Sequence, residues 1–348
     1  MSKQVRKIIH IDMDCFFAAI EMRDRDLPSS IPIAVGGLDG RGVVATCNYA
    51  ARRYGVRSAM PVAHARRLCP SLCVISPDMS KYREESLAIR SIFRRFTELV
   101  EPVSLDEAYL DVTGARHCGG SATHIAYQIR YLIWRERRLT ASAGVGPNKL
   151  IAKLASDWCK PNGQFTVPPQ EVSGFVELLP IERLRGVGPV LREKLHQLGI
   201  FTAGELRRLP LHELTQRFGK MGVSLYKQAH GMDDRPVHAH RERKQMSHEQ
   251  TFPMDLTTWS MVEAELQRMA GELLVDIARA DRLDQVYQVV IRMRSAHFET
   301  RQKMCRTEQF SLDVVMSMAK QLFNECGEAV RLIGVGVIFA KAAGGRIC

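Results

Sequence analysis

The chain changes its hydrophobic rhythm several times. Residues 5–11, Val-Arg-Lys-Ile-Ile-His-Ile, form the short apolar run of a strand, and residues 103–112 read as two short strands or a hairpin interrupted at Asp106-Glu107. Both acidic positions fall at strand ends. Between them lie a turn over Gly36-Gly37-Leu38-Asp39-Gly40, a strand-like stretch at 42–46, and helical stretches near 48–54 and 60–68. From Ser121 to Arg138, Ile125, Ile129, Leu132 and Ile133 recur at helical spacing, with charge on the opposite face. Residues 141–145 predict another strand, and Asn148 can cap the helix after it. The turn Lys160-Pro161-Asn162-Gly163 and then Val167-Pro168-Pro169 mark the exit from this region.

Residues 170–232 read as short helices with turns at Gly186-Val187-Gly188, Gly199 and Gly219, a small helical domain. The polar segment 233–245, with Pro236, reads as an exposed linker. From Gln250 the pattern is strand, helix, strand, strand, helix, strand, with helices near 259–279 and 312–326 and strands at 286–293, 299–307 and 332–340. That is an α+β module. The sequence contains no internal repeat and no low-complexity tract.

At 348 residues the chain is long enough for these blocks to be separate domains. Its 45% hydrophobic and 25% charged residues are the balance of a soluble globular protein. The nine cysteines are scattered, and Cys69 and Cys73, the one close pair, lack the second half of a zinc site, so free thiols in a reducing compartment are expected. Residues 1–7 lead into an apolar stretch broken by Asp12 and Asp14, which suits neither a signal peptide nor a membrane span. The expected location is cytoplasmic. The net charge of +11 favours a polyanionic partner, and its distribution says more: residues 1–167 carry +8, 168–241 carry +3, and 242–348 are neutral.

A sheet pairing the first strand with the hairpin would bring Asp12, Asp106 and Glu107 to one edge, a donor set suited to hard divalent cations. The backbone carbonyl of Met13 is a further donor. Alternation places Asp14 on the face of Asp12 and offers both. Taken alone, each acid is more often a solvated turn residue. Their surroundings argue otherwise: Ile11-Asp12-Met13-Asp14-Cys15-Phe16-Phe17-Ala18-Ala19-Ile20-Glu21 and Ser104-Leu105-Asp106-Glu107-Ala108-Tyr109-Leu110-Asp111-Val112 closely resemble the two acidic motifs of the Y family of DNA polymerases, above all its bacterial branch. With the motifs below, the resemblance covers essentially the whole chain and is densest over 5–165.

That resemblance implies catalytic Asp12, Asp106 and Glu107 holding two magnesium ions with Met13, while Asp14 and Asp111 are read as supporting residues. The run from Val44 to Arg57 resembles the family's fingers motif, implying a triphosphate clamp of Tyr49 and Arg52, one helical turn apart, with a hydroxyl from Thr46. Lys160 matches the lysine that reaches the triphosphate, and the amides of Cys15 and Phe16 are candidate phosphate donors. Phe17 matches the steric gate, whose ring occupies the space of a ribose 2′ hydroxyl.

Residues 184–195, with Gly186 and Gly188, resemble a helix-hairpin-helix that offers backbone amides to a DNA phosphate. Arg292, Arg294, Arg301, Lys303 and Arg306 fall on two adjacent predicted strands and are expected to form a cationic face for DNA. The implied fold class is α+β, a multidomain right hand: palm (1–11 and 79–167), small fingers (12–78), thumb (168–232), linker (233–245) and little finger (246–341). Lys244-Gln245-Met246-Ser247 departs from the family's usual entry to that last domain. Residues 342–348 carry no evident sliding-clamp peptide, and Gln321-Leu322-Phe323 falls inside a predicted helix. The expected activity is low-fidelity, template-directed DNA synthesis in damage tolerance, by a monomer acting on primer-template DNA and dNTPs. A catalytically silent scaffold and a nucleotidyl cyclase on a similar palm are the alternatives. All three acids are present, and the gate aromatic, thumb and little finger argue against the cyclase.

Overall fold

A computed structural model describes residues 5–240, 242–307, 309–327 and 329–340. The chain divides into two compact units, the first taking in residues 5–36, 44–60 and 64–240, the second the described residues among 37–43, 61–63 and 242–340. No described helix is long and apolar enough to cross a membrane, and every described cysteine is free.

The first apolar run becomes β1 (Ile8–Met13). It continues two residues past its predicted end, so Asp12 and Met13 are strand residues. There follow α1 (Phe16–Asp24), β2 (Ile33–Gly36), β3 (Val44–Cys47), α2 (Tyr49–Arg53), α3 (Val62–Leu68), β4 (Cys73–Ile75) and α4 (Met79–Arg94). Next come β5 (Val100–Pro102), β6 (Glu107–Asp111), α5 (Ala122–Arg137), β7 (Ala141–Gly146), α6 (Lys149–Ser156) and β8 (Gln164–Thr166). The larger sheet has the order β5-β6-β1-β7-β8, with β1 antiparallel to both neighbours. A second, three-stranded sheet is ordered β3-β2-β4.

The two faces of β1 have different work. Ile9 and Ile11, with their cross-strand partners Leu110, Ala108, Val145 and Ala143, pack against Ile89 and Ile92 of α4 and Ile125, Ile129 and Ile133 of α5. The other face carries His10 and Asp12 opposite Tyr109 and Glu107. Helix α1 buries Phe16, Ala18 and Ile20 in the same core as Ile9 and Ile11. The expected break between palm and fingers at residue 11 therefore falls inside a strand, and the separate smaller sheet begins only at Ile33.

The helical block contains α7 (Val172–Glu177), α8 (Pro189–Gln197), α9 (Ala203–Arg207), α10 (Leu211–Phe218) and α11 (Lys220–Ala229), around a core that includes Ile181, Leu195, Leu206, Leu214 and Leu225. The expected exposed linker is not free at its start. Val237 is buried with Ile8, Tyr109 and Ala152, Arg6 donates to the carbonyls of Asp233 and Arg235 at 2.8 Å, and the Pro236 carbonyl accepts from Lys149. An apolar residue two positions after Arg235 thus anchors a stretch whose polarity suggested solvent.

The second unit is an antiparallel sheet ordered β11-β10-β12-β9. Its elements are β9 (Gln245–Leu256), α12 (Trp259–Arg279), β10 (Val286–Ser295), β11 (Thr300–Arg306), α13 (Leu312–Cys326) and β12 (Val330–Phe339). Both helices pack on the face that presents Val289, Ile291, Met293, Ile333, Val335 and Val337. This is the predicted α+β pattern, with the first strand beginning earlier than read, at Gln245. Leu322 lies in the core of α13, so the Gln321-Leu322-Phe323 stretch is part of the fold. Residues 342–348 lie outside the described residues.

Candidate active site

Helix α6 lies directly on the sheet because β7 offers Gly144 and Gly146 beneath it. A Cβ at Gly144 would run into the Ala152 carbonyl and the Ser156 amide, and one at Gly146 would stand 2.7 Å from Ile151 Cγ2. Asn148 caps the helix by accepting the Ile151 amide at 2.9 Å, as expected. The close approach sets a row of polar groups, spaced i, i+4 and i+7, against the polar face of β1 and β6. Lys149 donates to both oxygens of Glu101 at 2.7 Å. Lys153 Nζ lies 2.5 Å from Glu107 Oε2, and Ser156 Oγ lies 2.8 Å from His10 Nδ1. In the turn after the helix, Lys160 Nζ is 2.5 Å from Asp12 Oδ1.

Strand pairing places Asp12 opposite Glu107, and Asp106 comes immediately before Glu107, its carbonyl accepting the Met13 amide at 2.9 Å. Ser104 organises this turn: its hydroxyl donates to Asp106 Oδ1 at 2.5 Å and accepts the amides of Asp106 and Glu107. The donor atoms that lie within 4.8 Å of one another belong to His10, Asp12 and Glu107. The acidic motifs point to Asp106 in that role, whereas His10, inside an apolar run, carries no such signal.

Burial raises the Asp12 carboxyl above its ordinary range, with the Lys160 ammonium pulling the other way. The imidazole of His10, and then the Lys153 ammonium, hold Glu107 at about 2 despite its burial. His10 is fully buried, and its Nε2 lies 3.3 Å from Glu107 Oε2, close enough to act on that carboxylate electrostatically but outside hydrogen-bond geometry. Oxygen donors, an orphaned nitrogen aimed at one of them and two ammonium groups drawn to the carboxylates all fit a site built to hold a cation.

Asp14 is not part of this group. Its carboxylate is buried and accepts from Ser142 Oγ and the Asn162 amide, each at 2.8 Å, tying β1 to β7 and to the turn after Lys160. Asp111 accepts the Thr113 amide at 2.9 Å. Both support the fold, as read.

A cavity of about 340 Å³ opens beside the carboxylates, and Asp12, Met13, Cys15, Phe16, Phe17, Thr46, Arg52, Asp106 and Lys160 all line it. Nine positions from four separated stretches of sequence thus meet. Cys15 adopts a left-handed conformation at the start of α1, and its amide and that of Phe16 precede the first intrahelical bond, from Ala19 to the Cys15 carbonyl. Burial pushes the Cys15 thiol up to about 12. The Arg52 guanidinium lies over the Tyr49 ring at 4.6 Å, the i, i+3 pairing predicted for them. Phe17 stacks on Tyr82 with centroids 4.2 Å apart, and the buried Tyr82 hydroxyl donates to Glu21 at 2.8 Å. The ring is thereby fixed in place. Tyr82 escaped the sequence reading, since an aromatic in a helix reads as core.

Gly186 has a φ of +91°, open to glycine, and Gly188 begins α8 with no side-chain cap. The amides of the first turn are therefore free for an external acceptor. A cleft of about 680 Å³ runs beside this turn, and Lys153 and Tyr109 also line it.

The expected single cationic face of the second unit does not form. Arg292 pairs with Gln302 and Arg294 with Thr300, whereas Lys303 and Arg301 pair with the buried Ile291 and Met293. Cross-strand partners share a face. Arg292 and Arg294 therefore lie on the open face and Arg301 and Lys303 on the helix side, where Lys303 meets Glu325 of α13 at 2.6 Å. Arg306 pairs with Gln288 and rejoins the open face.

Residues 11–157 match the impB/mucB/samB family, residues 243–346 that family's C-terminal domain, and residues 182–233 a domain described as the DNA polymerase-iota thumb. A DNA polymerase IV of Legionella pneumophila (strain Philadelphia 1) is 47% identical, over 96% of this chain and 94% of the relative. A DNA polymerase IV of Vibrio vulnificus (strain YJ016) is 44% identical, over 97% and 96%. Among solved structures, the Y-family DNA polymerase chimera Dbh-Dpo4(243-245)-Dbh matches with a TM-score of 0.85 and 27% identity, covering 95% of this chain and 98% of the chimera.

Proposed function

The chain belongs to the Y family of DNA polymerases, and from that premise we propose that it extends primers at low fidelity in translesion synthesis and DNA damage tolerance. It is a DNA-directed DNA polymerase. The observation that carries the finer reading is the cavity in which Asp12, Asp106, Phe17, Arg52 and Lys160 meet. Asp12, Asp106, Glu107 and the Met13 carbonyl would hold magnesium, two ions in this reading, with His10 beside Glu107. When bound, magnesium neutralises phosphate charge and favours attack by the primer 3′ oxygen.

The protein's own groups do the rest. Lys160 and Arg52 neutralise and orient the triphosphate, with Tyr49, Thr46 and the amides of Cys15 and Phe16 as hydrogen-bond donors. Phe17, braced by Tyr82, fills the space of a 2′ hydroxyl. Ser104 holds the Asp106 carboxylate in one orientation. The uncapped start of α8 grips a DNA phosphate without reading sequence. The protein acts as a cytoplasmic monomer on primer-template DNA.

Primer extension with dNTPs and magnesium tests the assignment. Asp106→Ala and Glu107→Ala should each lose incorporation by at least about a thousandfold, the scale for groups acting at the reacting centre. Retained extension by both variants would refute the site.

A further inference from the structure

Two lysines flank the carboxylates, and they face different spaces. Lys160, on Asp12, lines the nucleotide cavity. Lys153, on Glu107, does not line that cavity; it lines the cleft beside the Gly186 turn. We propose that Lys153 is a positioning residue for the primer: once a divalent cation occupies Glu107, its ammonium turns into the cleft and holds a backbone phosphate near the primer 3′ end. The proposal rests on the polymerase reading and adds a role for a residue outside the nucleotide cavity.

Glu107 is the one ion-pair partner of Lys153 among the described residues, and the lysine side chain is 37% exposed, so it is free to swing. A dication coordinated by the Glu107 oxygens competes with the ammonium for the same carboxylate and displaces it from that contact. The cleft is the adjoining place that welcomes it as the partner of a polyanion. Arg183, Arg185, Lys220 and Lys227 line it and have no carboxylate within ion-pair distance among the described residues. Of its acids, Asp233 is engaged by Arg235 at 2.7 Å, leaving Asp157, Glu182 and Asp234 against four unpaired cations, Asp157 sharing Lys160 at 3.7 Å with Asp12. In this proposal the incoming nucleotide fills the cavity, so the strand being extended reaches the carboxylates from the cleft on their other side. A four-carbon stem with a compact ammonium suits a contact that must change partners.

The test measures binding of the full-length protein to a 3′-dideoxy primer on a template by fluorescence anisotropy, with calcium or with EDTA. Calcium should tighten wild-type binding by about tenfold, the scale of one charge-assisted hydrogen bond, and Lys153→Gln should lose that gain. Lys153→Arg, which keeps the charge, should recover most of it. Methylphosphonates are then placed singly at the last three primer linkages. At one of them wild-type binding should weaken about tenfold, with no further loss in Lys153→Gln. A calcium gain retained by Lys153→Gln, or losses that multiply independently at all three linkages, would overturn the handover. Extension of an ordinary primer by the wild type in the same preparation separates the two readings. If the wild type extends while the linkages act independently, only the role of Lys153 fails; without extension, the polymerase reading fails with it.

Discussion

The palm sheet and the little-finger sheet are both antiparallel around their central strands, and both carry rows of charge, yet they use charge differently. In the palm, each lysine on α6 and the one in the turn after it meets an acid brought from a distant strand: Lys149 to Glu101, Lys153 to Glu107 and Lys160 to Asp12. In the little finger, Arg292 bridges to Gln302 on the adjacent β11 and, across Gly334 of β12, to Glu249 on β9, and Arg294 bridges to Thr300, all on an exposed face. The first arrangement is half-buried and depends on the close seating of a helix. The second needs only strand register. Changes near the palm row should therefore be felt in chemistry and folding, and changes on the little-finger face in grip and salt dependence.

The widest gap should appear at Phe17. Phe17→Val removes a ring that Tyr82 holds in place, and discrimination against rNTPs should fall on the order of a hundredfold, read as the ratio of single-nucleotide incorporation rates. Unchanged discrimination would mean that another group guards the sugar. Gly144→Ala comes next: its methyl meets the α6 backbone, so a loss of about 1–3 kcal/mol in urea unfolding is expected, together with reduced extension. A variant of full stability would show that α6 can lift without harm, and the contrast between the two sheets would weaken.

A third comparison uses acid. Burial alone would raise the Glu85 carboxyl, but Arg137 and then Arg23 override it and hold it below its ordinary 4.5. A depressed carboxyl stabilises the fold fully above its unfolded value and loses that contribution as pH falls through its folded value. Glu85→Gln should therefore destabilise most near neutrality, and the gap from wild type in urea midpoint should close as the buffer is taken below 4.5. A constant gap would show that packing, not charge, is what the substitution removes. The smallest effect belongs to the little finger. Arg294→Ala should lower the salt slope of DNA binding by about one. Lys303→Ala, whose ammonium is turned to α13, should leave it unchanged. Equal slopes for the two would undo the assignment of faces.

Much of this was legible in the sequence where apolar residues mark the phase. In β10, Ile291 and Met293 alternate with Arg292 and Arg294 and place both arginines outward, although Val289-Val290-Ile291 before them is apolar throughout. Strand β11, Thr-Arg-Gln-Lys-Met-Cys-Arg, has no buried face to set its phase, so Arg301 and Lys303 could not be assigned a side until pairing was known. The residues that gather at the carboxylates and line the cavity beside them were legible because short motifs hold most of them. His10 and Lys153 were not: a histidine within Ile-Ile-His-Ile reads as core, and a lysine among apolar helix positions reads as a solvated face. Their importance depends on the seating of α6 over Gly144, a contact between segments that neither segment announces. Val237 illustrates the same limit, a single apolar residue that pins a polar stretch.

The row on α6 also bears on how this protein can evolve. Lys149, Lys153 and Ser156 share one short, stiff helix, and the helix has no slack against the glycines beneath it. Any replacement that shifts α6 to suit one contact moves the other two, from the Glu101 end that tethers residues 236–238 to the end at His10 and Glu107. Substitutions along the row and at Gly144 should show strong epistasis, tolerated in compensating sets and rejected one at a time.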